Sequence, residues 1–183
     1  MHDPAQSPIF PVLETRRLLL REMQLEDIRS LFAVLSDLEV VRFYDTPFTQ
    51  LEQVERAIER HHFRFLHGDG LRWGITLKDE QKVIGNCGYA WDKDNHFAVL
   101  SYVLGRPYWG QGIMTEALGA IIHYGFEQYQ LHRIEADVAL PNIGSMRVLQ
   151  KLGFREEGLR KERFFAEGRY YDEKLFALLH TSP

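Results

Sequence analysis

The stretch Pro107-Tyr108-Trp109-Gly110-Gln111-Gly112-Ile113-Met114-Thr115-Glu116 holds the residue types that most directly suggest chemistry. Two glycines separated by one residue stand between a strand-like run and a helix-like run, which is the geometry of an anion site. Glycines let a ligand approach the backbone, and the first turn of a helix offers N–H groups without an intrahelical acceptor. The segment lacks the Gly-Lys-Ser/Thr of a nucleotide P-loop and the GxGxxG spacing of a dinucleotide fold. Taken alone, the turn reads either as a phosphate cradle or as a tight packing turn. Arg147 and Lys151 lie four apart on one face of an expected helix, as a second anion contact or as an ordinary solvated face. Cys87, in Gly85-Asn86-Cys87-Gly88, is a conceivable acyl acceptor, but no recognisable base stands beside it and a packed small side chain is the plainer reading. His61, His62 and His67 are close in sequence, yet no Cys or acidic ligand joins them, so no metal site is expected.

The elements that must position these residues follow from periodicity. Leu18-Leu19-Leu20 between arginines reads as a strand, and Ile28, Leu31, Phe32 and Leu35 mark a helix. A second helix is expected to open at Thr49, with Thr49 and Glu52 as a capping-box pair and Val54, Ala57, Ile58 and Phe65 as its apolar face. Three strands, about Leu71–Leu77, Val83–Trp91 and Phe97–Leu104, are separated by polar turns and should form an antiparallel meander. After the glycine turn comes a long helix through Ala117, Leu118, Ile121, Ile122, Phe126 and Tyr129, then an alternating strand from Arg133 to Leu140. Pro141-Asn142 begins a short helix that ends at Gly153, and strands around Arg163–Phe165 and Tyr170–Leu179 close the chain through Ala166-Glu167-Gly168. This order predicts an α+β (mixed α/β) single domain: a mostly antiparallel central sheet of about seven strands with helices on both faces.

Composition narrows the function classes. At 183 residues, 45% hydrophobic and 26% charged, the chain is neither disordered nor a disulfide scaffold nor a fibrous repeat. Its net charge of −4 argues against a nucleic-acid backbone as partner, so an anionic ligand must be held by local groups. With Cys87 as the single cysteine, no internal disulfide can form. Residues 1–12 read as a loose, proline-bearing extension without the basic start and apolar run of a secretory signal. No apolar stretch is long enough to span a membrane, and a cytoplasmic protein is expected.

Three blocks sharpen the reading. Tyr108 to Leu118, then Leu131-His132-Arg133-Ile134-Glu135-Ala136, then Asn142 to Phe154, resemble the GNAT superfamily of N-acetyltransferases, most closely its RimJ/RimL-like branch. The resemblance runs from about Leu13 to Leu179 and makes residues 13–180 the N-acetyltransferase domain. It implies acetyl-CoA as cosubstrate, with the pyrophosphate on the N–H groups of Trp109, Gly110, Gln111, Gly112, Ile113, Met114 and Thr115. Pantetheine would run between diverging strands, Ser101–Leu104 (Ser101, Tyr102, Val103, Leu104) and Ile134–Val138, with Asn142 and Ser145 beside its lower end and the sulfur. Arg147 and Lys151 would take the 3′-phosphate and adenine end. Aromatic residues Tyr44, Trp73, Tyr89, Trp91 and Tyr102 lie on or near elements expected to line an acceptor cleft, most of them as core.

The sequence departs from the family pattern at three places. Pro107 stands where a Gln or Arg usually opens the pyrophosphate motif, Val99 where many relatives carry a glutamate base, and Leu149 where many carry a tyrosine acid. The catalytic acid left by this reading is Ser145; base candidates are Glu162, Glu167, Asp172 or a water relay. The expected activity is direct transfer of acetyl to a primary amine in a ternary complex, with a protein or peptide N-terminus of the ribosomal-protein type as acceptor. The alternatives are a small-amine acetyltransferase (amino acid, polyamine or antibiotic) and a non-catalytic acetyl-CoA-binding module. The protein is expected to be a monomer or homodimer.

Overall fold

The computed structural model describes residues 8–44, 46–92 and 94–180. Strands β1 (Leu13–Glu14) and β2 (Leu18–Glu22) lead into helices α1 (Ile28–Leu35), α2 (Leu38–Val41) and α3 (Leu51–Leu66). The meander β3 (Gly70–Leu77), β4 (Val83–Asp92) and β5 (Phe97–Leu104) follows, then α4 (Ile113–Tyr129), β6 (Arg133–Ala139), α5 (Ile143–Lys151), β7 (Arg155–Ala166) and β8 (Arg169–Leu179). These strands form one eight-stranded sheet in the order β1-β2-β3-β4-β5-β6-β8-β7. Every neighbouring pair is antiparallel except β5 and β6. That pair is parallel because α4 carries the chain back across one face before β6 begins.

The sheet is coated on both faces, as the order of elements requires. On one face α4 buries Ile113, Met114, Ala117, Leu118, Ile121 and Ile122 in a cluster with Leu20, Trp73, Leu100, Ile134 and Phe176. On the other, Leu31 of α1 and Val54 and Ile58 of α3 pack over Met23 and Val83, while Val34, Leu35 and Val41 pack over Val103. Alternation along β5 decides which residue meets which layer: Ala98, Leu100 and Leu104 belong to the α4 layer, and Val103 to the α1–α2 layer. Cys87 is fully buried, and burial pushes its thiol up to about 12, so it is a packed side chain and no nucleophile. Among the described residues no helix is long and apolar enough to cross a membrane.

Four details differ from the sequence expectation. The sheet has eight strands, because the two-residue β1 pairs Leu13 with Leu20 and Glu14 with Leu19, too short a run to show alternation. The first strand of the last hairpin spans Arg155–Ala166, and its mostly exposed residues carry no period-2 apolar signal. The four-residue α2 is likewise too short for a periodic signal; the Asp37 side chain caps it. Helix α3 is capped by Gln50 and Gln53, in place of Thr49 and Glu52. The Gln53 Oε1 accepts from the Gln50 N–H at 2.9 Å and the Thr49 N–H at 2.7 Å, so one amide side chain satisfies two backbone donors.

Candidate functional site

The parallel pairing of β5 with β6 is brief. Phe97 pairs with Arg133, Ala98 with Ile134 and Val99 with Glu135, and there the ladder stops. From Leu100 and Ala136 onward the two strands have no shared pairing, although each keeps its other neighbour, β4 or β8. A sheet interior opened in this way exposes backbone donors and acceptors that an extended, amide-bearing ligand can pair with. The opening begins two residues later on β6 than the sequence predicted, since Ile134 is still paired. Of the strand residues expected at this site, Val103 and Leu104 send their side chains into the core, so only their backbones can face the opening.

The glycine turn lies at the mouth of the same opening. Gly110 and Gly112 have φ of 74° and 73°, the left-handed region that glycine adopts without strain. A Cβ at Gly110 would meet nothing within 4 Å, and one at Gly112 only the Arg17 Nη2 at 3.6 Å, so the turn is open on its outer side. The Glu116 N–H is the first of α4 to find a helical acceptor, the Gly112 carbonyl at 3.0 Å. The N–H groups of Ile113, Met114 and Thr115 precede it and point out of the helix end. Ile113 and Met114 bury their side chains in the core and can offer only backbone. Trp109 is different from the sequence expectation: its N–H donates to the Arg106 carbonyl at 3.1 Å and its Nε1 to the Leu104 carbonyl at 2.7 Å. It braces the loop and has no free backbone donor.

A clamp that the sequence did not suggest holds this loop. The Arg17 Nε donates to Glu116 Oε2 at 2.7 Å and its Nη1 to the Gln111 carbonyl at 2.9 Å. The Glu116 Oε1 accepts from the Arg17 N–H at 2.8 Å and the Thr15 hydroxyl at 2.6 Å. Burial pushes the Glu116 carboxyl up, but the hydrogen bonds from Thr15 and Arg17 outweigh it and hold the group below the usual carboxylate range. The partners are about a hundred residues apart in sequence, so no local pattern announces them.

Across the opening, Ser145 on α5 meets Tyr102 on β5: their hydroxyl oxygens are 2.6 Å apart. Burial pushes the Tyr102 phenol up to about 12 against the opposing effect of the Ser145 hydrogen bond. Asn142 caps α5, its Oδ1 accepting from the Ser145 N–H at 3.2 Å, and so sets the place of the serine. Leu149 is fully buried and supplies no proton. Arg147 and Lys151 are exposed on α5, one turn apart.

The opposite face of β3, β4 and β5 holds a cleft of about 130 Å³ under α3, lined by His61, Arg64, Gly70, Arg72, Val99 and Ser101 among others. Val99 is 41% exposed there, on the same face as its neighbour Glu135. The base candidates named from sequence are not gathered in it. Glu167 accepts from Arg42 and Tyr171, which hold its carboxyl below the usual range, and the Asp172 Oδ1 accepts the Glu162 N–H at 2.8 Å. Glu135 is paired with Arg133 at 2.7 Å. One carboxyl that sequence reasoning missed, Glu173 on β8, is raised by burial and by the charge of Asp137. Of the aromatic residues, Trp73 and Tyr89 are core, while Tyr44 reaches Arg72. The histidines go separate ways: His62 Nδ1 pairs with Glu22 Oε1 at 2.6 Å, His67 Nδ1 lies 2.8 Å from the Phe63 carbonyl, and His61 faces the cleft.

The profile of the acetyltransferase (GNAT) domain matches residues 17–155. The chain belongs to the GNAT acetyltransferase family. It is an acyltransferase, and acetyl-CoA is its cosubstrate. The uncharacterized N-acetyltransferase p20 of Bacillus licheniformis is 40% identical over 169 residues, 91% of this chain and 95% of that protein. The [ribosomal protein uS5]-alanine N-acetyltransferase of Escherichia coli K12 is 34% identical over 118 residues, 63% of this chain and 60% of that one. Among solved structures, RimL, a ribosomal L7/L12 alpha-N-protein acetyltransferase in complex with coenzyme A, superposes with a TM-score of 0.86 at 21% identity, covering 92% of this chain and 98% of its own. The opened β5–β6 pair, the glycine turn and the free helix end fit a ligand with an extended amide arm and a pyrophosphate.

Proposed function

We propose that this GNAT enzyme acetylates the α-amino group of a protein or peptide N-terminus, of the ribosomal-protein type, in a ternary complex. The observation that carries this reading is an acceptor side without a free carboxylate: Val99 stands at the strand position facing the cleft, its neighbour Glu135 is engaged by Arg133, and among the described residues the cleft lining contains no carboxylate. Without a strong base, the enzyme depends on the fraction of amine already neutral. At pH 7.5 that is roughly a quarter to two fifths for an α-amine of pKa about 7.7–8.0, and about one per thousand for a lysine at about 10.4. The difference is a few hundredfold in favour of the α-amine. The likeness to an alanine N-acetyltransferase acting on a ribosomal protein supports the same choice.

Acetyl-CoA supplies the activated thioester; the chain positions it and stabilises charge as it shifts. The N–H groups from Gly110 to Thr115 receive the pyrophosphate, and the backbone edges of Ser101–Leu104 and Ala136–Val138 receive the pantetheine amides. Arg147 and Lys151 face the 3′-phosphate. Asn142 holds the first turn of α5 so that the Ser145 hydroxyl, backed by Tyr102, donates to the departing sulfur. A cytoplasmic location fits a chain whose single cysteine is buried and reduced. The test compares kcat/KM for a peptide with a free N-terminus against the same peptide N-blocked and carrying one internal lysine. The free peptide is expected to be faster by about a hundredfold or more; equal rates would overturn the reading.

A further inference from the structure

Arg72 is half-buried on β3, in register with Gly88 of β4, which is in register with Ser101 of β5. Gly88 has no side chain, so the arginine lies across β4 and reaches the strand that borders the donor opening. Its Nη1 donates to Asn86 Oδ1 at 2.8 Å and to the Tyr44 hydroxyl at 3.1 Å, and its Nη2 hydrogen-bonds the Ser101 hydroxyl. All of these partners are neutral. Among the described residues Arg72 makes no ion pair, whereas Arg17, Arg21, Arg133 and Arg160 all do. The guanidinium has five N–H donors, and among the described residues these bonds leave the Nε and one Nη2 hydrogen without a partner.

Among the described residues, the lining of the cleft adds positive charge and no carboxylate. Arg64 lines the same cleft. His61 is pushed down to about 3, by burial first and by the charge of Arg72 next, so it remains a neutral wall at neutral pH. Glu22 borders an adjoining crevice with Arg72 but is taken up by His62. A partly buried guanidinium with neutral partners and spare donors is an incomplete arrangement, since buried charges are normally matched. A carboxylate is the ligand whose two oxygens fit such a fork.

We propose that Arg72 is the specificity-determining residue of the acceptor cleft and reads a carboxylate carried by the acceptor close to its amine. The Arg72–Ser101 row lies two residues along β5 from Val99, about 7 Å at strand rise. On the reading given above, with the amine beside Val99, that spacing matches an acidic side chain at the second residue of an N-terminal peptide. The inference rests on that reading for the peptide. A small acceptor bearing an α-carboxylate would satisfy the same chemistry.

The test is equilibrium binding by calorimetry in the presence of CoA, which needs no turnover. One pair of hexapeptides with free α-amines differs only by Glu or Gln at the second residue; a second pair is alanine and alaninamide. The Glu peptide is expected to bind the wild-type enzyme about tenfold or more tightly than its Gln twin. Arg72→Gln should bring that ratio to about twofold or less, and Arg72→Lys, which keeps the charge without the fork, should leave it between the two. The wild-type ratio should also fall as salt rises from about 0.05 to 0.5 M. Should Arg72→Gln fail to fold, the wild-type ratio and its salt dependence decide the matter. If only alanine over alaninamide shows the preference and its loss in Arg72→Gln, Arg72 keeps its role and the N-terminal peptide reading falls. Acid-to-amide ratios below about threefold in both pairs overturn the role of Arg72, whatever acceptor the enzyme turns over.

Discussion

Replacing Ser145 by alanine removes one hydroxyl from the pair proposed above to face the sulfur, and the structure limits how much that can cost. Two chemistries are available to the Tyr102–Ser145 pair: full proton transfer to the departing thiolate, or hydrogen-bond donation to it. A thiol of this kind has a pKa of about 8.5. The Tyr102 phenol is pushed up to about 12. Passing its proton through Ser145 to the thiolate would therefore run uphill by roughly 5 kcal/mol. Donation without transfer is the cheaper role, and one hydrogen bond to a charged group contributes about 1.5–3 kcal/mol. Ser145→Ala should then lower kcat by roughly 10- to 150-fold while the Kd for acetyl-CoA stays within about twofold. Tyr102→Phe, which removes only the neutral bond behind the serine, should cost roughly 2- to 13-fold. In the Ser145→Ala background it should cost much less than that, because the relay is already broken. The assay is release of CoA thiol at saturating acetyl-CoA, with cofactor affinity by calorimetry on folded protein. The pH profile is a second reading of the same idea. Activity should rise as the acceptor amine loses its proton and should show no falling limb below about pH 10, since the donating hydroxyl is still protonated there. A kcat within threefold of wild type for Ser145→Ala, or a falling limb between about pH 8 and 9, would refute the assignment.

Two further outcomes concern the donor loop. Gly112→Val should weaken acetyl-CoA by about tenfold or more, because a β-branched residue is strained at φ 73°, while a Cβ at that position meets only the Arg17 Nη2 at 3.6 Å; calorimetry on the folded variant checks it. Glu116→Gln should loosen the Arg17 clamp, raising the Kd for acetyl-CoA and lowering Tm at neutral pH. The Glu116 carboxyl titrates lower in the folded protein than in the unfolded chain, so its contribution is present above the unfolded value and fades as pH falls through the folded one. The Tm gap between wild type and Glu116→Gln should therefore close on acidification below about pH 4.5, as thermal melts across pH would show.

The sequence by itself determined the domain class, the order of its main elements and the place of the glycine turn. Those features are local: alternation from Arg133 to Leu140, the helical spacing of Ala117, Leu118, Ile121 and Ile122, and two glycines ahead of a helix. Each signal lies within about 15 residues, the range over which backbone geometry writes itself into composition. Asn142 was legible for the same reason as the start of a short helix, whereas the resemblance to the family, not local spacing, singled out Ser145. Elements too short or too exposed to carry a period were not legible: β1 with two residues, α2 with four and β7 with a mostly solvated surface. What only the tertiary structure decided are the pairings across long separations. Tyr102 reaches Ser145 over 43 residues, Arg17 reaches Glu116 over 99, and Arg72 reaches Ser101 over 29. Sheet order makes these neighbours, and a hydrogen bond between distant residues leaves no mark on the spacing of either one. The cleft under α3 belongs to this second kind, because its walls come from α3, β3, β4 and β5 at once and its charge is set by which carboxylates are already engaged elsewhere.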